Sequence, residues 1–315
     1  MKIVILGYSG LIGHSILENL LKNTSFNLVC VGRTIENKFL NNPRINYFEW
    51  DFVTFKNSNL NFLKNANIII NCVGKTNYKS DTLEYINVIY LKKLLKYLSK
   101  NQKKVRFINL SSVSVYGDAR NYIGQNKLIK ENTTFKTYDA YSRSKLKGDK
   151  LIRNIFKKKL NKNLSFTILR ISNVFGKNKN SNLFNFVLFL LKIGIWIKSS
   201  NSVVYNFINV KDVSQAVKLV ITKLAVSKNK TYIVSDDFKQ SVLYQKYQKI
   251  NQKKEIIIKL PIYIIKFLIN YLPLPRIILN FFLLISSEVS YSNKKIKREL
   301  KFNPKYSLKK EIKKI

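Results

Sequence analysis

Short apolar runs alternate with helix-spaced apolar positions through the first half of the chain. The runs KIVIL (2–6), NLVCV (27–31), INYFEW (45–50), NIIINCV (67–73), VRFINL (105–110) and FTILR (166–170) are rich in Val, Ile and Phe and are expected to be strands. Between them, helices are expected at about 11–22, 56–64, 82–99 and 139–158, the last two carrying Leu, Ile or Tyr at three- and four-residue spacing. Strands alternating with helices in this way build βα units and a parallel sheet. After Arg170 the alternation weakens, although TYIVS (231–235), which follows a helical segment from Asp212, is expected to return to the sheet. Residues 183–198 and 239–315 read as mostly helical, apolar-plus-lysine segments. The expected architecture is α/β: a doubly wound parallel sheet domain of residues 1–172, rejoined by 206–235, and a smaller, mostly helical domain of 173–205 and 236–315.

Composition narrows the field. A chain of 315 residues with 46% hydrophobic content can bury a core in each domain, so disorder is not expected. Lys and Arg number 57 against 17 Asp and Glu, a formal charge of +40. Nine of the bases are Arg and 48 are Lys, spread along the whole chain beside many Asn and Ile. Sequence readers of nucleic acid use clustered Arg forks, and neither a zinc-finger spacing nor an RNP-like aromatic motif occurs, so a compositional bias explains the charge and no nucleic-acid partner is expected. Cys30 and Cys72 sit in apolar runs, which fits a reduced, cytoplasmic location better than a disulfide framework. With one His, His14, a zinc site has almost no ligands to draw on. Only four apolar residues separate Lys2 from Gly7, too few for a signal-peptide core. The apolar stretch 256–285 is cut by Lys259, Pro261, Lys266, Pro273, Pro275 and Arg276 into pieces shorter than the ~20 residues a span needs. No transmembrane span is expected there, and association at a membrane surface stays open as the minor alternative.

The candidate chemistry begins at the end of the first strand. Gly7-Tyr8-Ser9-Gly10-Leu11-Ile12-Gly13 runs from a strand into a helix, a GxxGxxG variant of the turn that lets backbone amides and a helix N-terminus face a pyrophosphate. Where a user of NAD carries an acidic residue at the end of the second strand, this chain has Gly32 and Arg33. A guanidinium there pairs with a 2′-phosphate, so NADP is favoured over NAD; the plain alternative is an exposed loop arginine. NLSSVSVYG (109–117) follows at the carboxyl end of a strand, where open α/β sheets place ligands. Twenty-nine residues beyond Ser112 stand Tyr141 and Lys145, four apart and so on one helix face. A phenol with a pKa of ~10 is a poor base near neutrality, and a neighbouring ammonium is expected to lower it. Gly74-Lys75-Thr76 ends like a phosphate loop, but the glycine such a loop needs earlier would fall at Ile69.

Taken together, these motifs resemble the extended short-chain dehydrogenase/reductases, the NAD-dependent epimerase/dehydratase family. The resemblance runs through Gly7, Gly10 and Gly13, Asp51, NCVG (71–74), SSVSVYG (111–117), the Tyr141/Lys145 pair, LRISNVFG (169–176), FINVKDV (207–213) and the ending KIKRELKFNPKYSLKKEI (295–312). It implies a Rossmann domain that binds the dinucleotide through Gly7, Ser9, Gly10, Leu11, Ile12, Gly13, Arg33, Asp51, Val73 and Lys145. Asp51 would meet the adenine edge and Lys145 the nicotinamide ribose. Ser112 would hydrogen-bond the reacting oxygen, Tyr141 would be the general acid/base, and Asn173 would lie near a nucleotide-sugar in the smaller, substrate-binding domain. Against these roles stand a loop carboxylate for Asp51 and a turn residue for Asn173.

Departures from the family narrow the reaction. Its sugar dehydratases carry an Asp-Glu pair where this chain has Val113 and Ser114, so dehydration is not expected. Members that epimerise at carbons 3 and 5 use a Cys and a His, and His14 sits in the glycine turn. A 4-epimerase or a keto-sugar reductase/dehydrogenase remains, with the turn-like Ser235-Asp236-Asp237 and the lysine-rich tail closest to enzymes of polysaccharide precursors. The rivals are a non-catalytic redox sensor of the same fold and a polyanion- or membrane-surface binder. The oligomeric state stays open, a homodimer included.

Overall fold

The computed structural model describes residues 1–34, 41–52, 60–74, 80–101, 104–117, 119–157, 163–176, 182–200, 202–252 and 256–308. Its strands are β1 (Lys2–Leu6), β2 (Asn27–Gly32), β3 (Ile45–Glu49), β4 (Ile68–Asn71), β5 (Val105–Ser112), β6 (Lys127–Ile129), β7 (Leu164–Ile171), β8 (Asn173–Phe175), β9 (Ile195–Lys198), β10 (Val204–Asn209), β11 (Lys230–Val234), β12 (Asp236–Lys239), β13 (Ile256–Lys259) and β14 (Val289–Tyr291). The helices are α1 (Leu11–Asn23), α2 (Ser80–Glu84), α3 (Tyr90–Asn101), α4 (Ala140–Lys157), α5 (Asn182–Lys192), α6 (Val210–Thr222), α7 (Leu224–Ser227), α8 (Gln240–Asn251), α9 (Ile262–Tyr271), α10 (Arg276–Ser286) and α11 (Lys294–Leu300).

Seven parallel strands form the central sheet in the order β11-β7-β5-β4-β1-β2-β3. Chain order reverses between β1 and β4, and this switch point opens a crevice at the carboxyl ends of the strands. Alternation along β1 shows how the sheet is sealed. Ile3 and Ile5 pack with Leu17 and Leu20 of α1 and Val213, Val217 and Val220 of α6, whereas Val4 and Leu6 pack with Leu91, Leu94 and Leu98 of α3 and Ile152 of α4. With both faces covered, the inner strands read as near-continuous apolar runs, which is why the sequence exposes them so clearly, whereas the edge strand β3 is largely open to solvent beyond Ile45.

The rest of the chain is more mixed than its periodicity suggests. The helical reading of 183–198 and 239–315 gives way at β9, β13 and β14; β9 and β13 pair in parallel, from Ile195 opposite Ile256 to Lys198 opposite Lys259. The Ser235-Asp236-Asp237 segment, expected as a turn, leads into β12, which lies antiparallel to β10 in a three-stranded sheet. That sheet and α5, α8 and α10 share a core in which Trp196 stacks on Tyr244 with ring centroids 5.0 Å apart. The expected helix at 56–64 falls partly on 53–59, outside the described residues; within them, Asn61–Leu63 is a single 3₁₀ turn. The expected helix at 82–99 comprises α2, a π-helical turn at Tyr85–Ile89, and α3.

Helix α4 is held to the sheet by charge. Arg170 near the end of β7 is 0% exposed and its Nε donates to Asp149 Oδ2 at 2.9 Å, Asp149 being 1% exposed. Arg170 Nη1 donates to the Tyr116 hydroxyl, and the guanidinium carbon lies 4.9 Å from the Tyr116 ring centroid and 4.8 Å from that of Phe135. Removing one member of a buried pair strands the other charge. Asp149→Asn is therefore expected to lower unfolding free energy by about 3–5 kcal/mol in a urea titration; a loss under ~1 kcal/mol would contradict the anchoring role.

Candidate active site

The crevice is a cleft of about 960 Å³, near the top of the range of ~300–1,000 Å³ typical of small-molecule sites. The start of α1 forms one wall through Gly10, Leu11, Ile12 and Gly13. Cys72 and Gly74 after β4, Leu110, Ser111 and Ser112 of β5, and Ile171, Ser172 and Asn173 around the β7–β8 junction form the floor. Tyr138 through Tyr141 and Lys145 lie along it, while Asn206 of β10, Leu279, Leu283 and Leu284 of α10 and Tyr291 of β14 close the far side.

Two glycines explain the approach of the first wall. Gly7 has φ +77°, a left-handed conformation that side chains disfavour. A Cβ on Gly13 would stand 2.3 Å from Gly7 O and 2.8 Å from Tyr8 Cα, so only a glycine lets α1 begin this close to the turn. Gly10 caps the helix and its carbonyl accepts from His14 N at 2.8 Å.

Local sequence also sets the second wall. Asp139 Oδ1 accepts from Ser142 N at 2.7 Å, and Ser142 Oγ accepts from the backbone amides of Tyr138 and Asp139 at 3.1 Å, a reciprocal cap that starts α4 at Ala140. Tyr141 is thereby fixed in the first turn, at the positive end of the helix dipole. Its hydroxyl hydrogen-bonds Ser112, whose Oγ also accepts from Ser114 N at 3.1 Å. Lys145 lies one turn on, with Nζ 5.9 Å from the Tyr141 ring centroid and donating to Leu110 O at 3.4 Å. Ser112, Tyr141 and Lys145 thus meet at one place.

The electrostatics differ from the expected lowering of the phenol. Burial pushes Tyr141 up to about 12 against the Ser112 hydrogen bond, with the charges of Asp139 and Asp149 adding to the rise. Burial likewise pushes Lys145 down to about 8, opposed by Asp149 and Cys72. The ammonium donates to Leu110 O, and burial of the phenol outweighs the other influences on it, which accounts for the difference. Burial also raises the Cys72 thiol, so it is held in the protonated form that is a poor nucleophile.

The remaining sequence-derived positions follow the carboxyl ends of sheet strands. Arg33 is exposed just after β2, and Asp51 follows β3 by two residues; Trp50 N donates to Gly32 O at 2.7 Å and draws the two strand ends together. Val73 follows β4, its Cγ2 3.3 Å from where a Cβ on Gly7 would stand. Gly7, Ser9, Arg33, Asp51 and Val73 do not line the cleft itself, whereas Gly10 to Gly13, Ser112, Tyr141, Lys145 and Asn173 do. Periodicity offered no signal for Asn206 or the leucines of α10, which reach the cleft through tertiary packing. Val113 and Ser114, at the places of the dehydratase acids, also line it.

The residues present fit a dinucleotide. Gly7 and Gly13 leave no room for an added side chain in the turn, and three buried hydroxyls lining the cleft, on Ser111, Ser114 and Ser172, have no partner within the described residues.

The model of the NAD dependent epimerase/dehydratase family matches residues 3–235, and the chain belongs to that family. No curated protein sequence matches it. Among solved structures it is similar to a UDP-glucuronic acid 4-epimerase from Bacillus cereus in complex with NAD, with 16% identity, a TM-score of 0.73 and 99% of this chain covered against 96% of that one. A dTDP-glucose 4,6-dehydratase from Bacillus anthracis in complex with NAD gives 16% identity, a TM-score of 0.72 and coverage of 100% and 94%. A UDP-glucose 4-epimerase from Thermotoga maritima with UDP-glucose gives 18%, 0.72 and coverage of 99% and 96%. The likeness to these structures is one of fold, a Rossmann-type parallel sheet flanked by helices.

Gly13→Ala tests the turn. The added carbon meets backbone, which must shift, so dinucleotide affinity measured by calorimetry is expected to fall roughly tenfold or more, while far-ultraviolet circular dichroism is retained. Unchanged affinity would contradict the close approach.

Proposed function

We propose that the chain exchanges a hydride at a hydroxyl- or keto-bearing carbon of a nucleotide-linked sugar, as a 4-epimerase or a keto-sugar reductase/dehydrogenase of the cytoplasm serving polysaccharide precursors. The convergence of Ser112, Tyr141 and Lys145 in a cleft that also holds the glycine turn carries the reading. When bound, the dinucleotide supplies the hydride acceptor and donor. Tyr141 Oη takes the sugar hydroxyl proton during oxidation and gives it back on reduction. Ser112 Oγ, already on the phenol, orients the reacting oxygen beside it. Lys145 holds the nicotinamide ribose, and its ammonium favours the phenolate once drawn towards the filled site. Asn173 contacts the sugar nucleotide, and Asp51 and Val73 border the dinucleotide. Similar structures that hold UDP-glucuronic acid or UDP-glucose support a UDP-sugar as the first substrate to try. The lack of a carboxylate at Val113 and Ser114 speaks against dehydration. A panel of UDP-, dTDP- and GDP-sugars with NAD or NADP, read by NMR, should yield an inverted or newly reduced or oxidised carbon; a dehydrated product, or tight cofactor binding with no turnover on any class, would overturn the proposal.

Tyr141→Phe deletes the acid/base and keeps the ring, so turnover is expected to fall about 10²–10⁴-fold with cofactor affinity little changed. Near-normal turnover would sink the mechanism. Lys145→Met should harm both. In the wild type, cofactor affinity should be flat below the Lys145 value of about 8 and decline above it, because the charged form is the binding form; in Lys145→Met that decline should vanish.

Cofactor choice is the finer part of the proposal, with Arg33 pairing a 2′-phosphate and so favouring NADP. Similar structures contain NAD, which makes the test pointed. Arg33→Asp is expected to weaken NADPH binding far more than NADH binding; equal losses would count against it.

A further inference from the structure

Nothing in the reaction uses the surface formed by β13 and α9. All four residues of β13 are exposed, Ile256 at 61%, and the chain passes through Leu260 and Pro261 directly into α9. There Tyr263 at 70%, Phe267 and Tyr271 at 74% stand four apart on one helix face, with the Phe267 and Tyr271 ring centroids 5.2 Å from each other. Ile264, Leu272 and Ile278 are exposed nearby. Large apolar side chains exposed in this number on consecutive elements of a folded chain mark a docking surface.

Charge selects the occupant. Residues 239–287 contain eight bases (Lys239, Lys246, Lys249, Lys253, Lys254, Lys259, Lys266 and Arg276) and one acid, Glu255. A second copy of the chain would bring the same positive charge to the contact, whereas an anionic bilayer complements it. The apolar face also has the make-up of an interfacial element: tyrosines, whose rings bury while their hydroxyls stay wet, and exposed lysines at 259 and 266, whose stems reach back to water. Ten residues of α9 extend about 15 Å, half of a bilayer core of ~30 Å, and no described helix is long and apolar enough to cross.

We propose that β13 and α9 dock the protein on an anionic lipid surface, with α9 lying in the plane of the interface. Helix α10, which packs against α9, carries Leu279, Leu283 and Leu284 into the cleft, so the docked element adjoins the substrate side of the site.

The test is flotation with vesicles of phosphatidylcholine alone or equimolar phosphatidylcholine and phosphatidylglycerol. The variant Tyr263→Ser/Phe267→Ser/Tyr271→Ser leaves the charge unchanged. Wild-type protein is expected to float with the anionic vesicles and much less with the neutral ones, and the triple variant to partition roughly tenfold or more weakly, with circular dichroism and cofactor affinity retained. Tyr271→Ser alone, at the most exposed position, should show a smaller loss in the same direction. Equal flotation of wild type and triple variant would overturn the proposal, since dispersed charge would then suffice. Failure of the wild type to float would overturn it too, and a dimer in sedimentation that the triple variant dissociates would assign the surface to a second copy.

Discussion

The cleft depends on one buried ion pair. Tyr141, Lys145 and Asp149 follow each other at intervals of four along α4, so the face that carries the two cleft residues also carries the carboxylate that meets Arg170. A guanidinium with no exposed surface is costly unless paired and hydrogen-bonded. Here Asp149 and the Tyr116 hydroxyl meet much of that need and the rings of Tyr116 and Phe135 flank the guanidinium, while Arg170 Nη2 and Asp149 Oδ1 have no partner among the described residues; these contacts fix the rotation of α4 against β7 and the turn after β5. At the other end of the helix the Asp139 cap decides where the first turn starts. Two polar devices therefore place a phenol and an ammonium that the apolar core alone would leave free to rotate. Asp149 also acts at a distance: its charge opposes the burial-driven fall of Lys145 and adds to the rise of Tyr141.

What the sequence exposed, and what it hid, follows from where each constraint comes from. Sheet strands buried on both faces are continuous apolar runs, and all six expected in the first 170 residues are present. The glycine turn and the Tyr141/Lys145 spacing were legible because local geometry needs those residue types. Strands β9 and β13 were not, because a four-residue run such as IIIK carries no period that separates a strand from a helix. The leucines of α10 belong to the cleft through packing between segments more than a hundred residues apart, and no short-range pattern records that. The pKa of Tyr141 was misjudged for a related reason: spacing put Lys145 on the correct face, but burial and the pull of the Leu110 carbonyl decide what the ammonium does.

The large positive charge separates into two parts. Over most of the chain it is dispersed lysine, consistent with a compositional bias. Around α8, β13 and α9 it coincides with apolar side chains held in solvent, and there charge and exposure together describe a surface that the catalytic reading leaves unexplained.

The central claim is that Tyr141 and Ser112 serve a hydride exchange at a sugar carbon. The direct measurement uses a nucleotide-sugar substrate bearing deuterium on the carbon that is oxidised, with mass spectrometry of product, cofactor and water. The account predicts that the label returns to the same carbon in an epimerised product or is recovered in the reduced cofactor, with none released to water. Deuterium washed into solvent would signify proton abstraction from carbon and would contradict it.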